Sequence, residues 1–203
     1  MNSKKSKVVA IAEVGIFASL SVILYYLRFS LPFLFPGFLE LQFSALPIVI
    51  AGYALGPKYG VLVLVIKTLV CLPFTTTACV GDLADFLINL SFVLVTSMVY
   101  LQNKTKKNAA VSLVLGSVAW LIVSALANYF ILVPFYINLF MGGDVNIFVG
   151  ACSIVPNLDA TNYRIMYVLL AALPFNLMIS TVVSLITFIV YKRISKVIDK
   201  FEA

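Results

Sequence analysis

Long apolar runs separated by short polar links dominate the pattern of this 203-residue chain. An α-helix needs about 20 predominantly apolar residues to cross the hydrocarbon core of a bilayer. The six runs lie at about 8–28, 43–55, 60–73, 83–101, 109–136 and 164–191. The second and third runs are short, which fits tilted helices or a tight helical hairpin. We therefore predict an all-α protein with six transmembrane helices in one transmembrane domain, residues 1–203.

The composition assigns this pattern to an integral membrane protein. Hydrophobic residues make up 63% of the chain, charged residues make up 11%, and the mean hydropathy is +1.10. Soluble domains have an apolar share of about 45–50% and a charged share of about 25%. Because the six runs use most of the length, we expect no separate soluble domain.

The basic residues predict how the chain is oriented. With six crossings, one membrane face receives both termini, the link between the second and third runs, and the link between the fourth and fifth. That face carries eleven of the fourteen basic residues, namely Lys4, Lys5, Lys7, Lys58, Lys104, Lys106, Lys107, Lys192, Arg193, Lys196 and Lys200. Because cytoplasmic loops are enriched in Lys and Arg, we predict a multi-pass protein of the cell membrane with both termini in the cytoplasm. The net charge of +6 then reflects topology and contact with anionic lipid, and it gives no reason to predict nucleic-acid binding.

A polar stretch, LPFTTTACVGDLADF at 72–86, interrupts the apolar pattern. In the predicted topology it lies at the outer mouth, where the third crossing ends and the fourth begins. Glu40 and Gln42 fall on the same side. Hydrated loops use Thr, Gly and Asp for ordinary turns, so the stretch alone does not predict a binding site.

Two asparagines inside apolar runs favour a site, Asn128 in ALANYFILVPFY and Asn176 in LPFNLMIS. An amide in lipid is costly unless it is paired, so each should face the bundle interior or a wet cavity. Interhelical hydrogen bonding is the alternative use of such residues. Each lies near a proline, Pro134 or Pro174, which frees backbone groups that can line a cavity. Together with the polar stretch they predict an outward-facing pocket with apolar walls.

Lys67 lies inside an apolar run, VLVLVIKTLV. A charge at this depth calls for a partner of opposite sign. We expect a structural ion pair with Asp82 or Asp85 rather than a contact with a ligand.

The residue types argue against an enzyme. The chain contains no GxxxxGK[ST] phosphate loop. It has no histidine, so a Ser-His or Cys-His nucleophile is excluded. Asp82 and Asp85 could form a carboxylate pair, but the first turn of a helix is where acidic residues cap and stabilise its end. The cysteines lack structural-zinc spacing and are interpreted as reduced apolar fillers, at Cys71, Cys79 and Cys152. We predict no catalytic residue, no metal site and no cofactor.

Four blocks of this chain resemble a known family in order and spacing: LELQFSALPIVIAGYALGPKYGVLVLVIKTL, VGDLADFLIN, ALANYFILVPFY and LPFNLMISTVVSLITFIVYKR. Over about residues 30–193 the chain resembles the riboflavin-type substrate-binding (S) subunit of the energy-coupling factor (ECF) vitamin transporters. The resemblance implies a six-helix membrane protein that captures riboflavin as a transported ligand at its outer face. It also implies docking on a transmembrane coupling subunit driven by two ATPases, with uptake by tilting of the loaded subunit.

The resemblance implies where the ligand binds. Asn128 matches the asparagine of the family's A-L-x-N-Y-F pattern, Asn176 matches that of P-F-N, and Gly81 matches the V-G loop. With their polar neighbours, the predicted substrate-binding residues are Glu40, Gln42, Thr77, Ala78, Gly81, Asp85, Asn128 and Asn176.

Three positions depart from the family pattern. Ala45 replaces the usual aspartate after F-S, Asp85 replaces the usual asparagine before F-L, and Ile179 replaces the usual lysine after P-F-N. If that lysine anchors a polar edge of the ligand, its absence removes a charge-assisted hydrogen bond of about 1.5–3 kcal/mol. An S subunit for another vitamin or heterocyclic micronutrient is therefore an alternative, as is a solitary facilitator or secondary carrier.

Small residues on the first helix predict a docking face. Ala12, Gly15, Ala18 and Ser19 recur at helical spacing, and Gly15 with Ser19 forms a small-xxx-small pair that permits close backbone approach. The resemblance implies that this face meets the coupling subunit. Packing within the six-helix bundle is the alternative.

Overall fold

The computed structural model describes residues 7–201, and it describes side chains for residues 8–191. Basic residues used for the orientation fall outside the described side chains at both ends, namely Lys4, Lys5, Lys7, Lys192, Arg193, Lys196 and Lys200. The described helices are α1 (Lys7–Tyr26), α2 (Ala45–Ala54), α3 (Pro57–Cys71), α4 (Val80–Gln102), α5 (Lys106–Ala127), α6 (Val133–Phe140), α7 (Val145–Ala151), α8 (Tyr163–Tyr167) and α9 (Leu173–Phe201). Two short strands, β1 (Phe29–Ser30) and β2 (Glu40–Leu41), pair antiparallel.

The all-α membrane class is confirmed, and the predicted count of six helices is close to what is found. Within the described residues, five segments are long and apolar enough to cross a bilayer, at Val8–Tyr26, Pro57–Phe74, Val80–Gln102, Lys106–Phe140 and Tyr163–Tyr191. The remaining predicted crossing, at 43–55, corresponds to α2, which has only 10 residues and is too short to cross a bilayer. Ten helical residues extend about 15 Å, which is half the hydrocarbon thickness.

The short helix α2 lies inside the bundle. It contacts α1, α3, α4 and α9, and most of its side chains are buried. Glycines allow its close packing: a Cβ added at Gly60 of α3 would lie 2.9 Å from the Cα of Gly52 and 2.7 Å from a methyl of Val93. Because other helices surround α2, it does not have to cross the whole hydrocarbon core by itself.

The two longest segments contain a π-helical turn at matching places. A π-helical stretch, Asn128–Leu132, joins α5 to α6, and a second one, Val168–Ala172, joins α8 to α9. Each ends two residues before a proline, Pro134 or Pro174. Proline has no backbone N–H and its ring clashes with the carbonyl one turn earlier, so the wider turn accommodates it. These turns set the positions of Asn128 and Asn176.

The connection between α6 and α8 packs as a small cap on the long helices. Phe148 of α7 and Cys152 are buried against Val133 and Tyr167. Burial raises the pKa of the Cys152 thiol to about 12, so the thiolate is scarce at neutral pH. Cys71, Cys79 and Cys152 are free thiols.

Candidate ligand-binding site

Two adjoining hollows open at the end of the bundle where α4 begins. The inner one has a volume of about 150 Å³ and the mouth has about 140 Å³. The two hollows share the residues Phe38, Glu40, Gln42, Gly81 and Asp85. Pockets for drug-sized ligands have volumes of about 300–1,000 Å³, so a ligand of that size has to occupy both hollows. The inner hollow also has wall residues from α2, α4, α5 and α9, namely Ala45, Ala84, Ile88, Asn89, Trp120, Phe175, Asn176 and Ile179.

The β1–β2 pair carries one wall of the mouth. Ser30 pairs with Glu40, and Phe29 pairs with Leu41. This ladder brings Arg28 to Glu40, with 3.2 Å between the guanidinium and the carboxylate. The guanidinium also lies over the Tyr25 ring, 5.3 Å from its centroid. A two-stranded ladder is marginal by itself, so the ion pair and the aromatic contact help to hold the wall.

Asp85 is the centre of a polar cluster between the hollows. Its carboxylate lies 2.5 Å from Nζ of Lys67, which is 2% exposed. Gln42 Nε2 donates to Asp85 Oδ1 at 2.6 Å, and Asn89 Nδ2 donates to the same oxygen at 2.9 Å. The Lys67 ammonium also lies 4.2 Å from the centroid of the Tyr25 ring. The predicted ion pair of Lys67 is therefore present, and Asp85 is its partner.

Asp82 belongs to a second cluster on the mouth side. Tyr25 Oη donates to its carboxylate at 2.7 Å, and the Thr75 hydroxyl donates to the other oxygen. Asp82 lies in the first turn of α4, as predicted, but the prediction that it caps the helix is wrong, because its donors are side chains and not backbone N–H groups. The hydroxyl oxygens of Thr75 and Thr77 accept hydrogen bonds from the backbone N–H groups near the start of α4 instead. Among residues 8–191, no group of three Cys, Asp or Glu side chains is close enough to hold a metal ion.

The two predicted amides line the inner hollow, and each is anchored to its own helix. Asn176 Nδ2 donates to the Ala172 carbonyl at 2.8 Å, and its Oδ1 accepts from the Trp120 indole at 2.8 Å. Asn128 Nδ2 donates to the Ser124 carbonyl at 2.8 Å. The contact with Trp120 joins α9 to α5, so Asn176 combines interhelical bonding with a place in the cavity wall.

The structure brings together seven of the eight residues predicted to bind substrate. The inner hollow is lined by Glu40, Gln42, Gly81, Asp85, Asn128 and Asn176, whereas Thr77 lines the mouth. Ala78 lines a separate apolar groove between α3 and α4, beside Cys79. Ala78 and Cys79 have φ values of 49° and 67°, which places both in the left-handed region that non-glycine residues seldom adopt. The reversal of the chain at this point carries Ala78 away from the hollows.

The sequence prediction missed Asn89 and Trp120. Asn89 lies four residues after Asp85, on the same face of α4, so its spacing could have revealed it. Trp120 is the one tryptophan of the chain, and an indole N–H inside an apolar run needs an acceptor. Ala45 and Ile179, which depart from the family pattern, also line the inner hollow.

The four residues of the predicted docking face divide between the surface and the core. Ala12, Gly15 and Ser19 are exposed, and a Cβ added at Gly15 would have no atom within 4 Å. Ala18 is buried in a cluster with Val14 and other apolar residues. Packing within the bundle therefore accounts for Ala18, and the other three residues form an open surface.

Comparison with known proteins gives a consistent result. A family model described as "ECF transporter, substrate-specific component" matches residues 9–191. "Riboflavin transporter RibU" of Staphylococcus aureus (strain TCH60) is 26% identical over 200 residues, which cover 98% of this chain and 96% of that protein. "Riboflavin transporter FmnP" of Bacillus subtilis (strain 168) is 32% identical over 133 residues, which cover 64% of this chain and 70% of that protein.

A solved structure also matches. It is described as "Structure and mechanism of the S component of a bacterial ECF transporter", and its TM-score is 0.71 at 26% sequence identity. The match covers 94% of this chain and 98% of that structure. The similarity therefore extends over the whole fold and includes the helices that form the hollows.

Proposed function

This chain belongs to the substrate-specific components of ECF transporters, and on that premise we propose that it binds riboflavin in the two adjoining hollows. The observation that carries the proposal is the joint placement of seven predicted residues around them. Relatives named as riboflavin transporters support the choice of ligand. The protein is a transport component and not an enzyme.

The walls suit the two chemical parts of riboflavin. Its flat isoalloxazine ring needs apolar and aromatic contacts with a few polar partners at the edge, and the inner hollow offers Trp120, Phe175 and Ile88 beside its amides. Its ribityl chain presents hydroxyl groups, which bind carboxylates and amides. Apolar walls with a few placed polar groups are typical of small-molecule sites.

A spectrum of the purified protein tests this proposal. We expect protein purified from a flavin-producing host to carry a near-stoichiometric flavin absorbance, and we expect mass spectrometry of the released ligand to identify riboflavin. Asn128→Ala should weaken riboflavin binding more than it weakens folding. If the purified protein is colourless and has no affinity for added riboflavin, riboflavin is excluded as the ligand, and a different heterocyclic cargo is favoured.

The hollows face the outside of the cell in the proposed orientation. The junctions between α2 and α3 and between α4 and α5 lie at the opposite end of the bundle and carry Lys58, Lys104, Lys106 and Lys107. The positive-inside bias supports placing that end, and both termini, in the cytoplasm. Labelling of Thr76→Cys in intact cells, in a chain whose exposed Cys79 is replaced by Ser, checks the orientation, because position 76 is expected to react with a membrane-impermeant thiol reagent from outside.

Uptake is proposed to need a transmembrane coupling subunit and two ATPases. The exposed part of the docking face, Ala12, Gly15 and Ser19, is the proposed contact with the coupling subunit. Gly15→Leu should abolish riboflavin uptake in cells, because the larger side chain blocks close approach of the coupling subunit. It should leave riboflavin binding intact, because a Cβ added at this position has no atom within 4 Å. Ala110→Leu, at an exposed position on α5, is the matched control and should retain uptake. Transport by the purified chain alone in liposomes would contradict the dependent role.

A further inference from the structure

One buried polar atom of a residue that lines the inner hollow has no partner. Asn89 is 2% exposed and lines that hollow. Its Nδ2 donates to Asp85 Oδ1 at 2.9 Å and to the Asp85 carbonyl at 2.8 Å. Its Oδ1 has no hydrogen-bond partner among the described residues. A buried acceptor without a donor is costly, and such atoms in native proteins call for an explanation.

The acceptors around Asn89 determine which atom of its amide has no hydrogen-bond partner. The two oxygens that face the Asn89 amide are Asp85 Oδ1, which also accepts from Gln42 Nε2, and the Asp85 carbonyl, and both are acceptors. If the amide of Asn89 were turned over, its oxygen would face two acceptor oxygens of Asp85, which is repulsive. The amide group therefore keeps its nitrogen on Asp85 and its oxygen free.

The same carboxylate orients the neighbouring amide. Gln42 Nε2 donates to Asp85, and Gln42 Oε1 accepts from the Ser44 hydroxyl at 2.6 Å. The acceptor of Gln42 is thus occupied, whereas the acceptor of Asn89 is not. An asparagine at position 85 would keep the backbone carbonyl that holds Asn89 Nδ2, but it would replace the carboxylate oxygen that accepts from both Gln42 and Asn89.

We propose that Asn89 Oδ1 accepts a hydrogen bond from an N–H or O–H group of the bound cargo, and that the Lys67–Asp85 pair positions it to do so. The inference rests on the proposed function, because it takes riboflavin as the cargo. Riboflavin offers donors of both kinds, the imide N–H of its ring and the hydroxyls of its ribityl chain. Asn89 is then a specificity-determining residue that rejects analogues lacking the matching donor.

Titrations of the full-length protein with riboflavin and with two analogues test the inference. Each flavin is titrated into the parent protein and into one variant, which gives a cycle of affinities. 3-Methylriboflavin lacks the imide N–H, and lumiflavin lacks the ribityl hydroxyls. We expect Asn89→Leu to lower the affinity for riboflavin about tenfold or more. For the analogue that lacks the matching donor, the same substitution should change the affinity less than about threefold.

The outcomes are distinguishable. A smaller loss with either analogue supports the inference and identifies the donor, whereas an equal loss for all three flavins, or no loss at all, overturns it. If the parent protein binds no riboflavin, the proposed function fails and this inference fails with it. Thermal unfolding in detergent checks that Asn89→Leu is folded, and Asn89→Ala, which adds no bulk, replaces it in the cycle if it is not.

Discussion

The two ends of the helix bundle use their buried polar groups in opposite ways. At the end with the hollows, which we call the pocket end, the side chains of Lys67, Asp85, Gln42 and Asn89 bind one another and leave space beside them. At the opposite end, the tyrosine end, the rings of Tyr53, Tyr100 and Tyr191 fill the space. Tyr53 stacks on Tyr100 with 4.3 Å between ring centroids, and the Tyr191 ring packs edge-on against both.

This difference indicates that ligand affinity and stability are separable along the same helices. Residues of α2, α4, α5 and α9 contribute to both ends. Aromatic rings remove apolar surface from contact with water and leave little free volume. Charged and amide side chains hold one another at fixed distances and keep acceptors and donors in a cavity wall. Substitutions at the pocket end should therefore change ligand affinity, whereas those at the tyrosine end should change stability alone.

The largest expected effect comes from removing the cation at the pocket end. Lys67→Met leaves the Asp85 carboxylate without its ion pair, and breaking a buried pair in this way costs roughly 3–5 kcal/mol of unfolding free energy. Thermal unfolding in detergent measures the loss, and riboflavin titration should show weaker binding. Lys58→Met, at an exposed position on α3, is the matched control and should change stability by less than about 0.5 kcal/mol. Equal stability of the two variants would contradict the importance assigned to the pair.

The next largest effect comes from removing one amide side chain at each end of the bundle and comparing the losses of affinity and stability. Asn176→Ala removes a cavity amide and leaves the Trp120 indole without its acceptor, so we expect riboflavin affinity to fall about tenfold to a hundredfold. Asn108→Ala removes an amide whose nitrogen donates to the Val99 carbonyl at 2.5 Å, at the tyrosine end. That variant should lose stability but keep the parent affinity. Equal losses of affinity would mean that the two ends are coupled.

A charged ligand probes the electrostatics of the mouth. Among the side chains of residues 8–191, Arg28 is the one basic group lining either hollow, and it is already paired with Glu40. Asp82 also lines the mouth, and its carboxylate accepts from the hydroxyls of Tyr25 and Thr75 and not from a cation. We expect riboflavin 5′-phosphate to bind about tenfold more weakly than riboflavin, because like charges in a site are repelled. Glu40→Gln should reduce this difference in a competition titration, and an unchanged difference would contradict the explanation.

The smallest expected effect is at the tyrosine end. The Tyr53 hydroxyl lies 2.5 Å from Ser112 Oγ, and neither residue lines the hollows. Tyr53→Phe keeps the ring and removes this hydrogen bond, so it should lower the unfolding free energy by about 1 kcal/mol. Riboflavin affinity should stay at the parent value. A change in affinity larger than the experimental error would break the proposed separation of the two ends.

The sequence alone supported much of the site because polar groups are conspicuous in apolar runs. Asn128, Asn176 and Lys67 had to face the interior, since lipid offers them no partner. Their helices and approximate depth followed from the same pattern. Ala78 could not be placed in this way, because its direction depends on the backbone reversal before α4. Asn89 was not predicted as a site residue, although its position four residues after Asp85 places it on the same helix face.

The pattern of apolar and polar residues by itself determined an all-α membrane protein and the set of polar residues buried in it, because a bilayer excludes unpaired polar groups. The tertiary structure alone decided which of these residues meet. Lys67 could have paired with Asp82 or Asp85, and the packing of α3 against α4 selected Asp85. It also brought Gln42 and Asn89 to that carboxylate and Trp120 to Asn176. A hydrogen bond forms only within about 3 Å, and that distance depends on helix rotation and crossing, which the hydrophobic pattern leaves open.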